Sequence, residues 1–351
     1  MAESEAPQLA PHYYRENFLR LFDTVQARYC DLLDTGEQAF LKHFRELSFS
    51  TQCLYIRLIS RTGPWFRESK LRYDELGPLA EALDELIAEE FAEEAGVLAI
   101  EEIGALYTRA ELAQLFAGQL PSRRFPDKAA QLEAIASLPL SDTAMLETLR
   151  AYDKGRIIAP LGLETVELFQ LLFFGNRHQS LTEFVLSDLG VVTYYPYKLD
   201  KEYRQFPCRE AVQEYLNCAA LSDAHYELVE NDQREQLPEL AQHALDLVIE
   251  YPSSEGRWAR LCNRLARDLE RLEQWDTALQ LYARSTRHPC RERYARILER
   301  QQDWQAAQKH CENILESPWC EEEAEAAARI LPRVQRKLGE KPQARPRDNF
   351  A

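Results

Sequence analysis

The stretch Tyr55-Ile-Arg-Leu-Ile-Ser-Arg-Thr-Gly-Pro-Trp-Phe-Arg-Glu-Ser-Lys-Leu-Arg-Tyr73 decides how this chain is read. It holds five basic residues against one acidic residue, in a chain whose formal net charge is -16. Leu54, Tyr55, Leu58 and Ile59 form the apolar face of a helix, and Arg57 and Arg61 stand four residues apart beside it. Gly63-Pro64 ends that helix, and a short aromatic and basic run from Trp65 to Tyr73 leads to another helical pattern, Leu76 to about Ala88. Upstream, Phe18, Leu21, Phe22, Val25 and Tyr29 recur at helical spacing, and a turn is expected near Thr35-Gly36 before a second amphipathic segment, Glu37 to Leu47. Three helices with short extended pieces predict a winged-helix-like unit over residues 13–106, after a disordered 1–12.

The wider composition bounds what this unit belongs to. A chain of 351 residues predicts two to four domains, each able to fill its own core. No run nears the roughly 20 apolar residues of a membrane span, and the start MAESEAPQLAP lacks the basic and apolar regions of a signal peptide, so a soluble cytoplasmic protein with no membrane partner is expected. Eight cysteines form no Cys-x-x-Cys pair and read as free, mostly buried thiols. His288, Cys290, His310, Cys311 and Cys320 fit no standard zinc spacing, so no metal is expected there. Charge is uneven: Asp74 to Glu111 holds twelve acidic residues and one basic, whereas Gly256 to Cys311 holds twelve basic and seven acidic. Local basic surfaces can therefore attract phosphates within a Debye length of about 10 Å despite the acidic total.

Further along, Thr108-Arg-Ala-Glu111 is a capping box that opens a short helix with Leu112, Leu115 and Phe116 on its apolar stripe. A second helix with Leu132 and Ile135 follows, and Arg123, Arg124 and Lys128 crowd its N-terminus, either as a helix-end phosphate site or as a solvated loop. Residues 141–230 read as a mixed α/β connecting segment, with strands at Gly155 to Pro160 and Gly190 to Tyr195 and two helices between, one opened by the box Ser180-Leu-Thr-Glu183. From 231 to 338 the pattern is helical, and Trp275-Asp-Thr-Ala278 with Tyr282 recurs as Trp304-Gln-Ala-Ala307 with Cys311, 29 residues on. Such helix pairs are similar to tetratricopeptide repeats, with the tryptophans as core residues. Residues 339–351 read as a polar, proline-broken linker.

Leu54-Tyr-Ile-Arg-Leu58, Trp65, Lys70-Leu-Arg-Tyr73 and Glu75 resemble the signature segment of the Fanconi anaemia-associated nuclease family, structure-specific repair nucleases with a virus-type replication-repair nuclease (VRR-NUC) domain. The helix pair over 107–140 falls where that family has a SAP-like unit, and Gly256-Arg-Trp-x-Arg-Leu resembles the start of its tetratricopeptide-like region. The resemblance is to the compact, bacterial, nucleoid-associated form, since no cysteine precedes Cys30. It implies a mainly α fold that grips branched DNA such as 5′ flaps, in interstrand crosslink repair, as partner of a C-terminal nuclease domain. That domain uses Mg²⁺ or Mn²⁺ held by an Asp and a Glu-x-Lys motif, because two carboxylates place the metal at the scissile phosphate. Glu68-Ser-Lys70 and Asp127-Lys128 lack the required strand context, so no catalytic residue and no cofactor is expected in this chain, which reads as the non-catalytic portion.

The DNA-binding residues this implies are Arg57, Arg61, Arg67, Lys70 and Arg72, with Arg123, Arg124 and Lys128. Trp65 and Tyr73 are either core residues or available to pack on sugar or base. Arg257 matches the family's arginine for a flap 5′ phosphate, with no clear counterpart of the companion histidine near Cys290 to Tyr294. Arg260, Arg264, Arg267 and Arg271 form a helix face that binds DNA or pairs with the acidic 74–111 segment. Two alternatives stand beside the nuclease reading. One is a helical-repeat adaptor that binds a peptide in its groove and an acidic protein on its basic face; the other is a Cys/His metalloenzyme, for which no stoichiometric zinc is expected.

Overall fold

The computed structural model describes residues 12–120, 125–179 and 201–342, and the chain divides into two compact units, 1–205 and 206–351. The predicted strand Gly190 to Tyr195, the capping box at Ser180, residues 1–11 and most of the tail lie outside the described residues.

The first unit begins with α1 (Tyr13–Tyr29), α2 (Thr35–Glu46) and α3 (Phe49–Ile59). Thr35-Gly36 is not a turn but the first turn of α2, because Asp34 accepts the Glu37 amide at 2.8 Å while Glu37 reaches back to the Asp34 amide at 2.9 Å. The apolar stripe of α1 packs as read: Phe18, Leu21, Phe22 and Val25 are fully buried. Phe18, Phe22, Phe44, Tyr55, Phe91 and Phe169 then form a chain of edge-on and tilted rings 4.5–5.8 Å apart. Helix α3 is buried on almost every side rather than on one face, and its polar Gln52 is satisfied there: its amide donates to the Phe44 and Leu47 carbonyls at 3.0 Å, and its oxygen accepts Arg15 Nε at 2.7 Å.

After α3 come β1 (Phe66–Arg67), 3₁₀ turns at Glu68–Lys70 and Asp74–Leu76, α4 (Leu79–Ala88) and β2 (Ala92–Glu94). Four helices follow, α5 (Ile100–Leu106), α6 (Arg109–Leu115), α7 (Lys128–Ala136) and α8 (Asp142–Asp153), before β3 (Ile157–Pro160) and α9 (Leu163–Phe174). The sheet order is β1-β3-β2, antiparallel, with Phe66 opposite Ile158 and Ala92 opposite Pro160. Strand β3 is therefore the centre of the winged-helix sheet and not part of a separate connecting domain. The four helices α5 to α8 occupy the place of the wing between β2 and β3. They share one core around Ile103, Tyr107, Leu112, Phe116, Ile135 and Leu149, so the helical insertion extends beyond the pair expected over 107–140. Gly104 lets α7 pack tightly on α5, since a Cβ there would lie 2.6 Å from Leu132 Cδ1.

The second unit is all helical among its described residues: α10 (Arg209–Glu230), α11 (Leu237–Asp246), α12 (Pro252–Arg271), α13 (Trp275–Ala283), α14 (Cys290–Arg300), α15 (Trp304–Glu316) and α16 (Glu321–Lys337). The 29-residue repeat corresponds to α13 and α15, each opening on a tryptophan and burying a small residue one turn later, Ala278 and Ala307. The tryptophans are half-buried and packed against the cores of this unit, each with a cation over its ring: Arg300 lies 4.3 Å from the Trp275 centroid and Lys337 lies 6.0 Å from that of Trp304. Helix α10, read above as part of the connecting segment, packs on α11 and α12. No helix among the described residues is long and apolar enough to cross a membrane.

Candidate nucleic-acid interface

The basic island of residues 57–72 does not protrude as one surface; β1 and the turns after it sort its cations by depth. Arg67 is the clearest departure from expectation. Its side chain is 4% exposed, and its Nε bridges both Asp153 oxygens at 2.9 Å while Nη1 meets Glu111 at 2.9 Å. Its guanidinium lies 4.1 Å from the centroid of Tyr107, whose hydroxyl donates to Asp153 at 2.5 Å. A buried cation so enclosed cannot meet a phosphate, and Arg67 is a strut that joins β1 to the first turn of α6 and the last residue of α8.

Trp65 resolves to a packed residue as well, with its indole N–H donated to Glu102 at 2.8 Å and its ring against the insertion core. Lys70 is exposed but sits 3.2 Å from Glu111. Burial raises the Glu111 carboxyl, but the Thr108 amide, Arg67, the Thr108 hydroxyl and Lys70 outweigh it and bring it down to about 2. Arg57 pairs with Glu75 at 2.7 Å and stacks 4.1 Å from the Tyr14 ring, with its side chain 36% exposed.

Arg61 and Arg72 are exposed and have no carboxylate partner among the described residues. Arg61 donates to the Tyr73 hydroxyl at 3.1 Å, and Arg72 to the Leu71 carbonyl at 2.8 Å. Half-exposed Arg57 lies 5.7 Å from the centroid of the Tyr73 ring whose hydroxyl Arg61 holds, so these two cations and Tyr73 form a cationic and aromatic edge between α3 and the turns after β1, with exposed Arg72 next to Tyr73 along the chain. Helix α4 presents the opposite chemistry. It immediately precedes the hairpin strand β2, the position from which a winged helix reads the major groove, yet it carries Glu81, Asp84 and Glu85 and no base. Phosphate contact along the Arg61 edge, not base reading by α4, is what this arrangement can perform.

The phosphate site expected at the start of α7 is not formed by Lys128. Its amine donates to the Gly104 carbonyl, and Asp127 already accepts the Ala130 amide at 2.8 Å, placing a carboxylate where an anion would sit. Arg123 and Arg124 lie outside the described residues. In the second unit, Arg257 is half-buried against Tyr215, donating to its hydroxyl at 2.8 Å, while Trp258 belongs to the core.

Neither Glu-x-Lys-like site fits a catalytic metal. Glu68 accepts the Arg156 amide and Nε at 3.0 Å, and its carboxyl is lowered chiefly by that guanidinium, so its oxygens are already engaged. Of the Cys/His cluster, His310 Nε2 donates to the Arg291 carbonyl at 3.0 Å and its ring lies 4.6 Å from that of Tyr294, and burial raises the Cys290 thiol to about 11. No group of three or more His, Cys, Asp or Glu among the described residues is placed to hold a metal ion.

Sequence reasoning missed the acidic partners Glu75, Glu102, Glu111 and Asp153. The capping box at Thr108 was the available signal for Glu111; for Asp153, 86 residues from Arg67, there was none.

Comparison with known proteins agrees with this architecture. Residues 12–93 match the helix-turn-helix domain of FAN1, and residues 97–153 match the Fanconi anemia-associated nuclease SAP domain, the span of α5 to α8. A Fanconi-associated nuclease 1 homolog of Pseudomonas aeruginosa is 32% identical over 335 residues, covering 95% of this chain and 58% of that protein. Its Arabidopsis thaliana counterpart is 30% identical over 222 residues, covering 60% of this chain and 25% of that protein. The crystal structure of paFAN1 bound to 2nt 5′ flap DNA with gap superposes with a TM-score of 0.81 at 31% identity, covering 98% of this chain and 62% of that one. The chain thus spans about three-fifths of the length of the Pseudomonas homolog and of paFAN1. With its helix-turn-helix unit, its SAP domain set in the wing and its helical-repeat unit, the chain belongs to the Fanconi-associated nuclease family.

Proposed function

We propose that this chain is the DNA-recognition portion of a metal-dependent nuclease that acts on branched DNA such as 5′ flaps. The observation that carries the reading is the pair of exposed, uncompensated guanidinium groups of Arg61, held on the Tyr73 hydroxyl, and Arg72, next to Tyr73 along the chain, in the winged-helix unit. A structural relative solved with 5′ flap DNA supports the choice of partner. In this reading the edge holds duplex through its phosphates, shape is recognised rather than sequence, and the helical repeats brace a nuclease domain that supplies Mg²⁺ or Mn²⁺ and the hydrolytic chemistry.

The test is fluorescence anisotropy on a 5′ flap across a salt series. Each phosphate contact contributes about 0.9 to the slope of log K against log salt, so Arg61→Ala with Arg72→Ala flattens it by about 2 and weakens binding at every salt. An unchanged slope removes this edge from the interface. Wild-type protein with no affinity for any DNA favours the adaptor reading, in which the same edge meets an acidic protein.

A further inference from the structure

The second unit neutralises many of its arginines but leaves one row bare. Arg271 pairs with Asp268 at 2.7 Å, Arg296 with Glu292 at 2.7 Å and Arg333 with Glu299 at 2.8 Å; Arg293 is held by Glu270. Arg260, Arg264 and Arg267, by contrast, are exposed on α12 and have no carboxylate partner among the described residues. Their spacing of four and three places them on one stripe, a turn apart, where like charges repel and the helix gains nothing from them.

The stripe ends at a flat ring. A Cβ on Gly256 would lie 3.0 Å from Arg287 Nη1 and 3.7 Å from Arg260 Nη1, so the missing side chain lets these two guanidinium groups converge. Arg287 is oriented by Glu255 at 3.2 Å and lies 5.2 Å from the centroid of Trp319, an indole that is 53% exposed. Uncompensated cations in a row, leading to an exposed aromatic, match a polymer with one charge per unit and a flat group on each: a single strand of nucleic acid. An acidic peptide would satisfy the arginines but would leave Trp319 without a planar partner.

We propose that this stripe and Trp319 form a single-strand binding surface, with Arg260, Arg264 and Arg267 on backbone phosphates and Trp319 stacking one base. The proposal rests on the DNA-binding reading above but uses none of its residues, and Arg257, turned to Tyr215, is not part of it. The test uses the full chain and a fluorescent oligo-deoxythymidine between about 50 and 200 mM salt. At roughly 0.7 per phosphate on single strands, R260Q/R264Q/R267Q lowers the salt slope by about 2. Trp319→Ala loses about tenfold in affinity at unchanged slope. R296Q, which removes an arginine already paired with Glu292, leaves the slope as in wild type and controls for the loss of a cation outside the row. An unchanged slope in the triple variant overturns the phosphate row, and unchanged affinity in the Trp319 variant overturns the stacking. Either failure leaves the first reading standing so long as wild type still binds flap DNA through the Arg61 edge, whereas loss of all DNA binding in wild type removes both.

Discussion

Replacing Arg67 by methionine separates a strut from a DNA contact. The substitution keeps most of the side-chain volume but removes the cation shared by Asp153, whose side chain is 2% exposed, and Glu111. Breaking a buried pair from one side leaves the other charge uncompensated and costs about 3–5 kcal/mol. Asp153 would still accept the Tyr107 hydroxyl at 2.5 Å and the Ser69 hydroxyl at 3.1 Å, so the low end, about 3 kcal/mol, is expected. Hydrogen exchange read on peptides from β1 and β3 confines the measurement to the first unit, where about 3 kcal/mol lowers protection roughly 150-fold. Adding Asp153→Asn to the Arg67 variant should recover part of that loss, because the orphaned charge is gone while its hydrogen-bonding shape remains. The salt slope for flap DNA should be unchanged in whatever fraction stays folded. A loss of protection under about fivefold, the scale of an exposed ion pair, would refute the strut; so would a flattened salt slope at unchanged protection.

Gly162 caps the start of α9 at φ 76°, and a Cβ there would lie 2.5 Å from Phe40 Cε2. Gly162→Ala should therefore destabilise the first unit by about 1–3 kcal/mol in urea unfolding, through left-handed strain and overpacking together; a neutral result would contradict this geometry. Acid should also weaken this unit in a defined window. The Glu111 carboxyl moves from an ordinary 4.5 to about 2 on folding, so its contribution is complete above about pH 4.5 and is lost as pH falls toward 2. Glu111→Gln should lower stability at neutral pH and shallow the decline below pH 4.5, measured by circular dichroism; an unaltered acid limb would count against it.

How far this was legible before the fold was known differs from residue to residue. The capping box Thr108-Arg-Ala-Glu111 and the apolar stripe of α1 were readable because their partners lie three or four residues away, within reach of a local pattern. The repeat at Trp275 and Trp304 announced stacked helices because one short motif recurs 29 residues on. The basic island was visible as composition, yet its division into strut and surface was not. Arg67 and Arg72 look alike in sequence; one meets Asp153 across 86 residues and the other faces solvent.

By itself, then, the order of residues determined a mainly helical protein and the capped start of α6, which follow from contacts between near neighbours along the chain, together with its family signature. Tertiary structure alone decided that β3 completes the winged-helix sheet around an inserted SAP domain, and which of the cations are spent inside. Sheet pairing and buried ion pairs join residues up to about ninety positions apart, and a charge carries no mark in sequence of which distant carboxylate will reach it.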